Sequence, residues 1–308
     1  MTYRTHTLAV LLTAAMSFSP ALAAAKKPAV SVPAVAPTPA VAQTLSYDRV
    51  GKGPAVVLIH GLGGDRALWA QEAARLSARY TVISVDLPGH GRSPTPKSLD
   101  LKETAQQVAK IIHHEHLSPA VIVGHSMGGT VAAWVPLVAP ETARGVLLVD
   151  AVLAPIPWTD EDKRKLRVDL NRARITTLRQ FYARMTSNAT QLDRVISAAQ
   201  SVSTDTFMAY VDYASDNELD EKVRDIRCPV HLLAGTMLLG DNGDPKKTQA
   251  ALQQAGYVGI PKFTHEYFAG AKHFLFWDDP THFNVALDRF IGTISHPSVS
   301  GIKGRSKG

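Results

Sequence analysis

Gly124-His125-Ser126-Met127-Gly128-Gly129 is the stretch that decides the fold of this 308-residue chain. It follows an apolar run, Ala120 to Gly124, and opens a segment of helical periodicity that begins at Met127. A serine between glycines at a strand-to-helix turn has a physical purpose. The turn is so tight that the serine takes a strained backbone, and only glycine tolerates the close approach on either side. The serine oxygen is thereby pushed out above the sheet, next to a helix N-terminus whose amides attract negative charge.

Outward from this turn the same alternation repeats. Apolar runs rich in Val, Ile and Leu occur at residues 55–60, 80–86, 120–124, 145–150, 230–235 and 263–268, without the polar alternation of a half-exposed sheet. Such runs predict strands buried on both faces. Helical patterns lie between them, at 67–78, 99–116, 127–139, 245–255 and 280–294. Strand and helix in alternation predict an α/β fold, a mostly parallel central sheet with helices on both faces. One interval breaks the rhythm. From Pro155 to Arg227 the pattern shows no strand, only charged helical stretches at 160–185, 191–202 and 206–213. The expected organisation is therefore a core of residues 44–153 and 228–295 with an inserted helical cap, 154–227. Binding crevices of such sheets lie beyond the C-terminal strand ends, so a cap there roofs the site.

Three further segments occupy strand ends. His60-Gly61-Leu62-Gly63-Gly64 ends the first long run, where a loop amide can help to stabilise an oxyanion. Asp86-Leu87-Pro88-Gly89-His90-Gly91-Arg92-Ser93 ends the second, and Gly270-Ala271-Lys272-His273-Phe274 follows the last. With the Ser126 turn, these motifs make the sequence resemble the α/β-hydrolase superfamily over roughly residues 45–295, with the cap in the usual slot. The resemblance implies roles. Ser126 matches the nucleophile, and a serine hydroxyl needs an adjacent base at neutral pH. His273 matches the histidine that takes the proton and returns it to the leaving group. The backbone amides of Leu62 and Met127 match the oxyanion-hole positions.

The third member of the triad departs from the usual pattern. The family places its acid three residues after a glycine like Gly235, and here that position is Leu238, which cannot orient a histidine. The reading favours Asp150, at the end of the run 145–149, an arrangement that some members of the superfamily use; a rigid strand would hold it near the site. Asp241 and Asp244, in the loop 236–245, are the alternatives. Turn and cap chemistry accounts for these aspartates equally well if they are not catalytic.

Other features carry less. His113 and His116 share a helical face, but no Cys or carboxylate cluster joins them, so no metal is expected. No nucleotide-binding glycine fingerprint occurs, and no cofactor is expected. Asp86, with Gly89 and Gly91, is expected to pin a loop rather than to catalyse. Asp279 before Pro280 reads as a helix N-cap. Trp69 and Trp134 read as core, whereas Trp158, Phe181, Tyr182, Phe207, Tyr210 and Tyr213 face either the cap's own core or the site.

Composition bounds the rest. AVILMFWYC residues at 45% and DEKR at 19% are globular proportions. Of the 33 Lys and Arg, six lie in residues 1–43 and 296–308, which contain no Asp or Glu; the body balances 27 basic against 27 acidic residues. A neutral body gives a nucleic acid nothing to hold. Arg4 and His6 precede an apolar run, Leu8 to Phe18, and Ala21-Leu22-Ala23 supplies a cleavage site, so residues 1–23 are expected to be a signal peptide. Export to the periplasm or outside the cell suits a chain whose single cysteine, Cys228, cannot form an intrachain disulfide. Residues 24–43, rich in Pro, Ala and Val, read as an extended linker, and 296–308 as a flexible basic tail. The apolar run near the N-terminus is too short to span a bilayer.

The nucleophile type then prunes the chemistry. Epoxide opening and halide displacement in this superfamily use an aspartate where this chain has Ser126. The expected function is that of an exported serine hydrolase cleaving a carboxylic ester of a small or medium substrate through an acyl-enzyme. A lactone, amide, peptide or carbon–carbon bond hydrolase on the same triad is the alternative, and a non-hydrolytic ligand-binding member of the fold is the other. The expected partner is a small molecule.

Overall fold

The computed structural model describes residues 45–240 and 244–295. The expected signal peptide, linker and basic tail, and with them Asp241, lie outside the described residues.

Seven strands form one sheet: β1 (Tyr47–Val50), β2 (Ala55–Ile59), β3 (Thr81–Val85), β4 (Ala120–His125), β5 (Ala143–Val149), β6 (Val230–Ala234) and β7 (Phe263–Tyr267). Their order is β1-β3-β2-β4-β5-β6-β7. β1 runs antiparallel to β3, and every other neighbouring pair is parallel. The helices between them are α1 (Ala70–Leu76), α2 (Leu101–His114) and α3 (Met127–Val138). Between β5 and β6 come α4 (Asp160–Arg172), α5 (Arg174–Tyr182), α6 (Ala189–Gln200), α7 (Thr204–Asp216) and α8 (Leu219–Lys222). The remainder are α9 (Thr236–Leu239), α10 (Pro245–Gln254), α11 (Leu275–Asp278) and α12 (Pro280–Ser295).

The sheet is dry on both sides through β2 to β6; β7, expected from the sequence to be buried on both faces, is instead a half-exposed edge strand with Thr264 and His265 in solvent. Val57, Ile59, Ile122, Leu148 and Leu232 join one core cluster with Val108 and Ile111 of α2, Val131 and Val135 of α3, and Leu252 of α10. Their neighbours Leu58, Val123, Leu147, Val149 and Leu233 join the other, with Leu76 of α1 and Phe283, Leu287 and Ile291 of α12. Each fully buried side chain of this size contributes about 1.5–3 kcal/mol. The second cluster continues into the inserted helices through Leu166, Leu178, Val195 and Phe207.

Several elements differ from the sequence reading. β1 was not expected; it is a short edge strand of half-buried and exposed residues, too brief to show a period. The helical stretch expected over 160–185 is two helices, broken at Ala173 in a conformation that is neither helical nor extended (φ −145°, ψ 56°). No Gly or Pro marks that corner. It is held from outside, by the Arg174 guanidinium donating to the carbonyl oxygens of Ala199 and Val202. α2 starts at Leu101 rather than at residue 99, because the Asp100 carboxylate accepts from Lys102 N–H at 2.7 Å and caps it. No described helix is long and apolar enough to cross a membrane.

Candidate active site

Ser126 stands between β4 and α3 with φ 52° and ψ −124°, a left-handed backbone rare for a side chain with a β-carbon. Two glycines make the turn possible. A β-carbon at Gly124 would lie 2.2 Å from Gly128 O, and one at Gly128 would lie 2.3 Å from His60 O. β4 and α3 therefore close on each other and on the end of β2, and Ser126 is left half-buried at the crest.

Asp150 follows β5, also at positive φ (46°). It is 4% exposed and both its oxygens are engaged: Oδ1 accepts from Gly235 N–H at 2.8 Å and Oδ2 from His273 Nδ1–H at 2.7 Å. That contact fixes the tautomer and leaves Nε2 of His273 as the free acceptor. His273 and Ser126 line one cavity. Their side chains make no hydrogen bond to each other, a contact that is often long until substrate is bound.

Of the other acids, Asp244 is exposed and caps α10, accepting from Lys246 N–H at 2.9 Å. Leu238, where the usual acid would stand, is buried in α9 and walls the cavity. Among the described residues, Asp150 is the carboxylate that holds His273.

The loop Gly61–Gly64 faces Ser126: a β-carbon on Gly61 would come 2.9 Å from Ser126 Cβ. Its conformation is set by two buried histidines. His60 donates from Nδ1 to Gly61 O at 2.8 Å and accepts Leu87 N–H at Nε2. His90 accepts Gly63 N–H at Nε2, 3.0 Å, and donates from Nδ1 to Pro88 O. Burial holds His60 down to about 4 and His90 down to about 3, so both stay neutral as these contacts require. Leu62 N–H takes no part in these bonds and borders the cavity. Met127 N–H opens α3, where first-turn amides lack intrahelical acceptors and no side chain caps them. Leu62 and Met127 thus present two uncommitted donors beside Ser126.

The remaining residues have structural partners. Asp86 accepts from Arg66 N–H and Arg92 N–H, both at 2.8 Å, and pairs with the Arg66 guanidinium, pinning the loop after β3. His125 is buried against His273, with ring centroids 4.6 Å apart, and donates from Nε2 to His273 O. Burial and the neighbouring His273 hold its ring well below the ordinary histidine range. Asp279 accepts from His282 N–H at the start of α12. His113 meets Glu141 at the surface, and no cluster of three or more metal-ligand side chains occurs among the described residues. Burial pushes the free Cys228 thiol up to about 11.

The cavity of about 110 Å³ is walled by apolar side chains, including Leu68, Val152, Ile156, Phe181, Met185 and Met237. Among the described residues no Lys or Arg lines it. Trp158, Tyr182 and Tyr213 also reach it, whereas Phe207 is buried in the core and Tyr210 is spent on a hydrogen bond to Pro88 O. Two contacts that sequence reasoning missed brace the site, Tyr182 Oη–H to Leu62 O and Asp278 to Lys272 N–H. Nothing in the sequence marks the first, because the partners are far apart in the chain. For the second, Asp278 precedes the helix start that Asp279 and Pro280 mark, but nothing in the sequence points to its partner.

Residues 56–286 match the sequence model of the alpha/beta hydrolase family. An uncharacterized protein of Mycobacterium tuberculosis is 28% identical over 270 residues, covering 79% of this chain and 76% of that protein. A pimeloyl-[acyl-carrier protein] methyl ester esterase of Pseudoalteromonas atlantica is 28% identical over 231 residues, covering 69% and 85%. Among solved structures, an esterase from a Rhodococcus species superposes with a TM-score of 0.65 at 27% identity, covering 81% of this chain and 95% of that one.

Proposed function

The chain belongs to the alpha/beta hydrolase family, and on that footing we propose that it is a serine hydrolase cleaving uncharged carboxylic esters of small or medium size through an acyl-enzyme. The observation that carries the reading is the buried Asp150–His273 hydrogen bond in the cavity that Ser126 enters. Esterases among its similar proteins support the bond type, and the apolar walls support an uncharged substrate.

The chemistry follows from the geometry. His273 Nε2 takes the Ser126 hydroxyl proton as the oxygen attacks the ester carbonyl. Negative charge that develops on the carbonyl oxygen is met by Leu62 N–H and Met127 N–H; one such donor is typically worth about 10²–10³ in rate. The Asp150 carboxylate stabilises the imidazolium, which then protonates the departing alcohol. Water, deprotonated by the same nitrogen, releases the acid from Ser126.

The test is hydrolysis of p-nitrophenyl esters across acyl lengths, with labelling by an active-site phosphonate. Ser126→Ala is expected to abolish both. Asp150→Asn is expected to keep the protein folded and to lower kcat by about 10³-fold or more, because it removes the charge behind His273. A folded wild type whose Ser126 resists the phosphonate would sink the reading. Full activity in Asp150→Asn would take the acid's role away from Asp150.

A further inference from the structure

We infer that Tyr182–Ser187, the end of α5 and the residues after it, braces the oxyanion loop and the His273 loop together, and that Tyr182 is a positioning residue for the reaction proposed above, on which the inference rests. The Gly61 carbonyl accepts from His60 Nδ1–H and from Gly64 N–H. The next peptide is held at both ends, Gly63 N–H by His90 Nε2 and Leu62 C=O by Tyr182 Oη–H at 2.8 Å. With these groups engaged, Leu62 N–H is left to meet a ligand. Three of these four bonds are internal to the core; the fourth comes from the inserted helices.

Tyr182 is built into that position. Its side chain is 2% exposed, and it borders the cavity. Gly63 makes room for it: at φ +71°, a β-carbon there would stand 2.1 Å from Tyr182 Oη. Burial pushes its hydroxyl above the ordinary tyrosine range, so it remains a donor.

Three residues further on, the same segment takes hold of the other loop. Met185 O accepts His273 N–H at 2.9 Å and Phe274 N–H at 3.3 Å. Thr186 Oγ1–H and Ser187 N–H both donate to Asp278 Oδ1, at 2.8 and 2.9 Å. The second oxygen of Asp278 accepts Lys272 N–H at 2.8 Å. One short segment therefore fixes the carbonyl beside the Leu62 donor and the backbone that carries His273. The inserted helices do more than roof the cavity: seating them completes the site, and lifting them would disorder donor and base at once.

Tyr182→Phe in the full chain keeps the buried ring and deletes the one hydrogen bond. It is expected to lower kcat about tenfold with KM changed less than about twofold, the fall reflecting a looser donor rather than a lost one. The pH profile of kcat/KM should stay in place, since the Asp150–His273 pair is untouched. Hydrogen–deuterium exchange in the 61–64 segment should quicken while the melting temperature barely moves. Asp278→Asn provides the second variant, expected to quicken exchange over 182–187 and 270–274 together. A Tyr182→Phe protein with wild-type kcat and unchanged exchange overturns the inference. A change confined to KM also overturns it, making Tyr182 a wall. The exchange comparison uses no substrate, so if Ser126 of the wild type resists the phosphonate, the hydrolase reading falls and exchange alone decides whether the brace exists.

Discussion

His60 and His90 hold the loop beside Ser126 as neutral rings, and that has a cost in acid. Unfolded, each would protonate near 6.5; folded, burial holds them to about 4 and about 3. Between those values the unfolded chain takes up protons that the folded chain refuses. Their contribution to stability is therefore intact above about 6.5 and is lost as pH falls towards 3, by roughly 3–5 kcal/mol for His90 if its shift is fully expressed. Asp86, pushed up to about 7 by burial, works in the opposite sense, gaining protons on folding. A difference measurement separates the two. His90→Gln, which retains an acceptor for Gly63 N–H, is expected to lose less stability than the wild type when denaturant midpoints are compared between pH 6.5 and 4. Parallel curves for the two proteins would assign the acid sensitivity to other groups.

At the scale of elements, the β4–Ser126–α3 turn depends on space rather than on attraction. Gly128→Ala places a carbon 2.3 Å from His60 O and 2.5 Å from Ile59 O, and both are backbone atoms that no rotamer change can move aside. The expected outcome is a loss of about 3 kcal/mol or more, or failure to fold, read from urea denaturation. A variant as stable as the wild type would show that α3 can slide along the sheet. This turn was legible in the sequence because strain and close approach demand particular residues. The central strands β2 to β5 were legible because burial on both faces leaves nearly unbroken apolar runs, whereas β7 is a half-exposed edge strand of polar and aromatic residues. β1 was not, since its Asp48 and Arg49 answer to local ion pairs at the edge with Arg66, Arg92 and Glu115. Nor was the break at Ala173, which Arg174 imposes through contacts some 25 residues away along the chain. The partnership of Tyr182 with Leu62 was hidden for the same reason: it spans 120 positions, and no local pattern encodes it.

The body of the molecule is electrically even, with 27 basic and 27 acidic residues over 44–295, and among the described residues the cavity under the inserted helices contains no Lys or Arg to receive a charged substrate. Burying a carboxylate without a partner costs several kcal/mol. The kcat/KM of a p-nitrophenyl butyrate is accordingly expected to exceed that of the corresponding hemisuccinate by about 10²-fold or more. Equal values would mean that a cation reaches the site when substrate binds. In the proposed reaction His273 is answered from the end of β5, so α9 after β6 has no proton to handle, and its Met237 and Leu238 line the cavity. Selectivity and reactivity are then carried by separate stretches of chain. Residues 236–240 become a place where lineages, or a directed library, can explore new substrates without endangering the reaction itself.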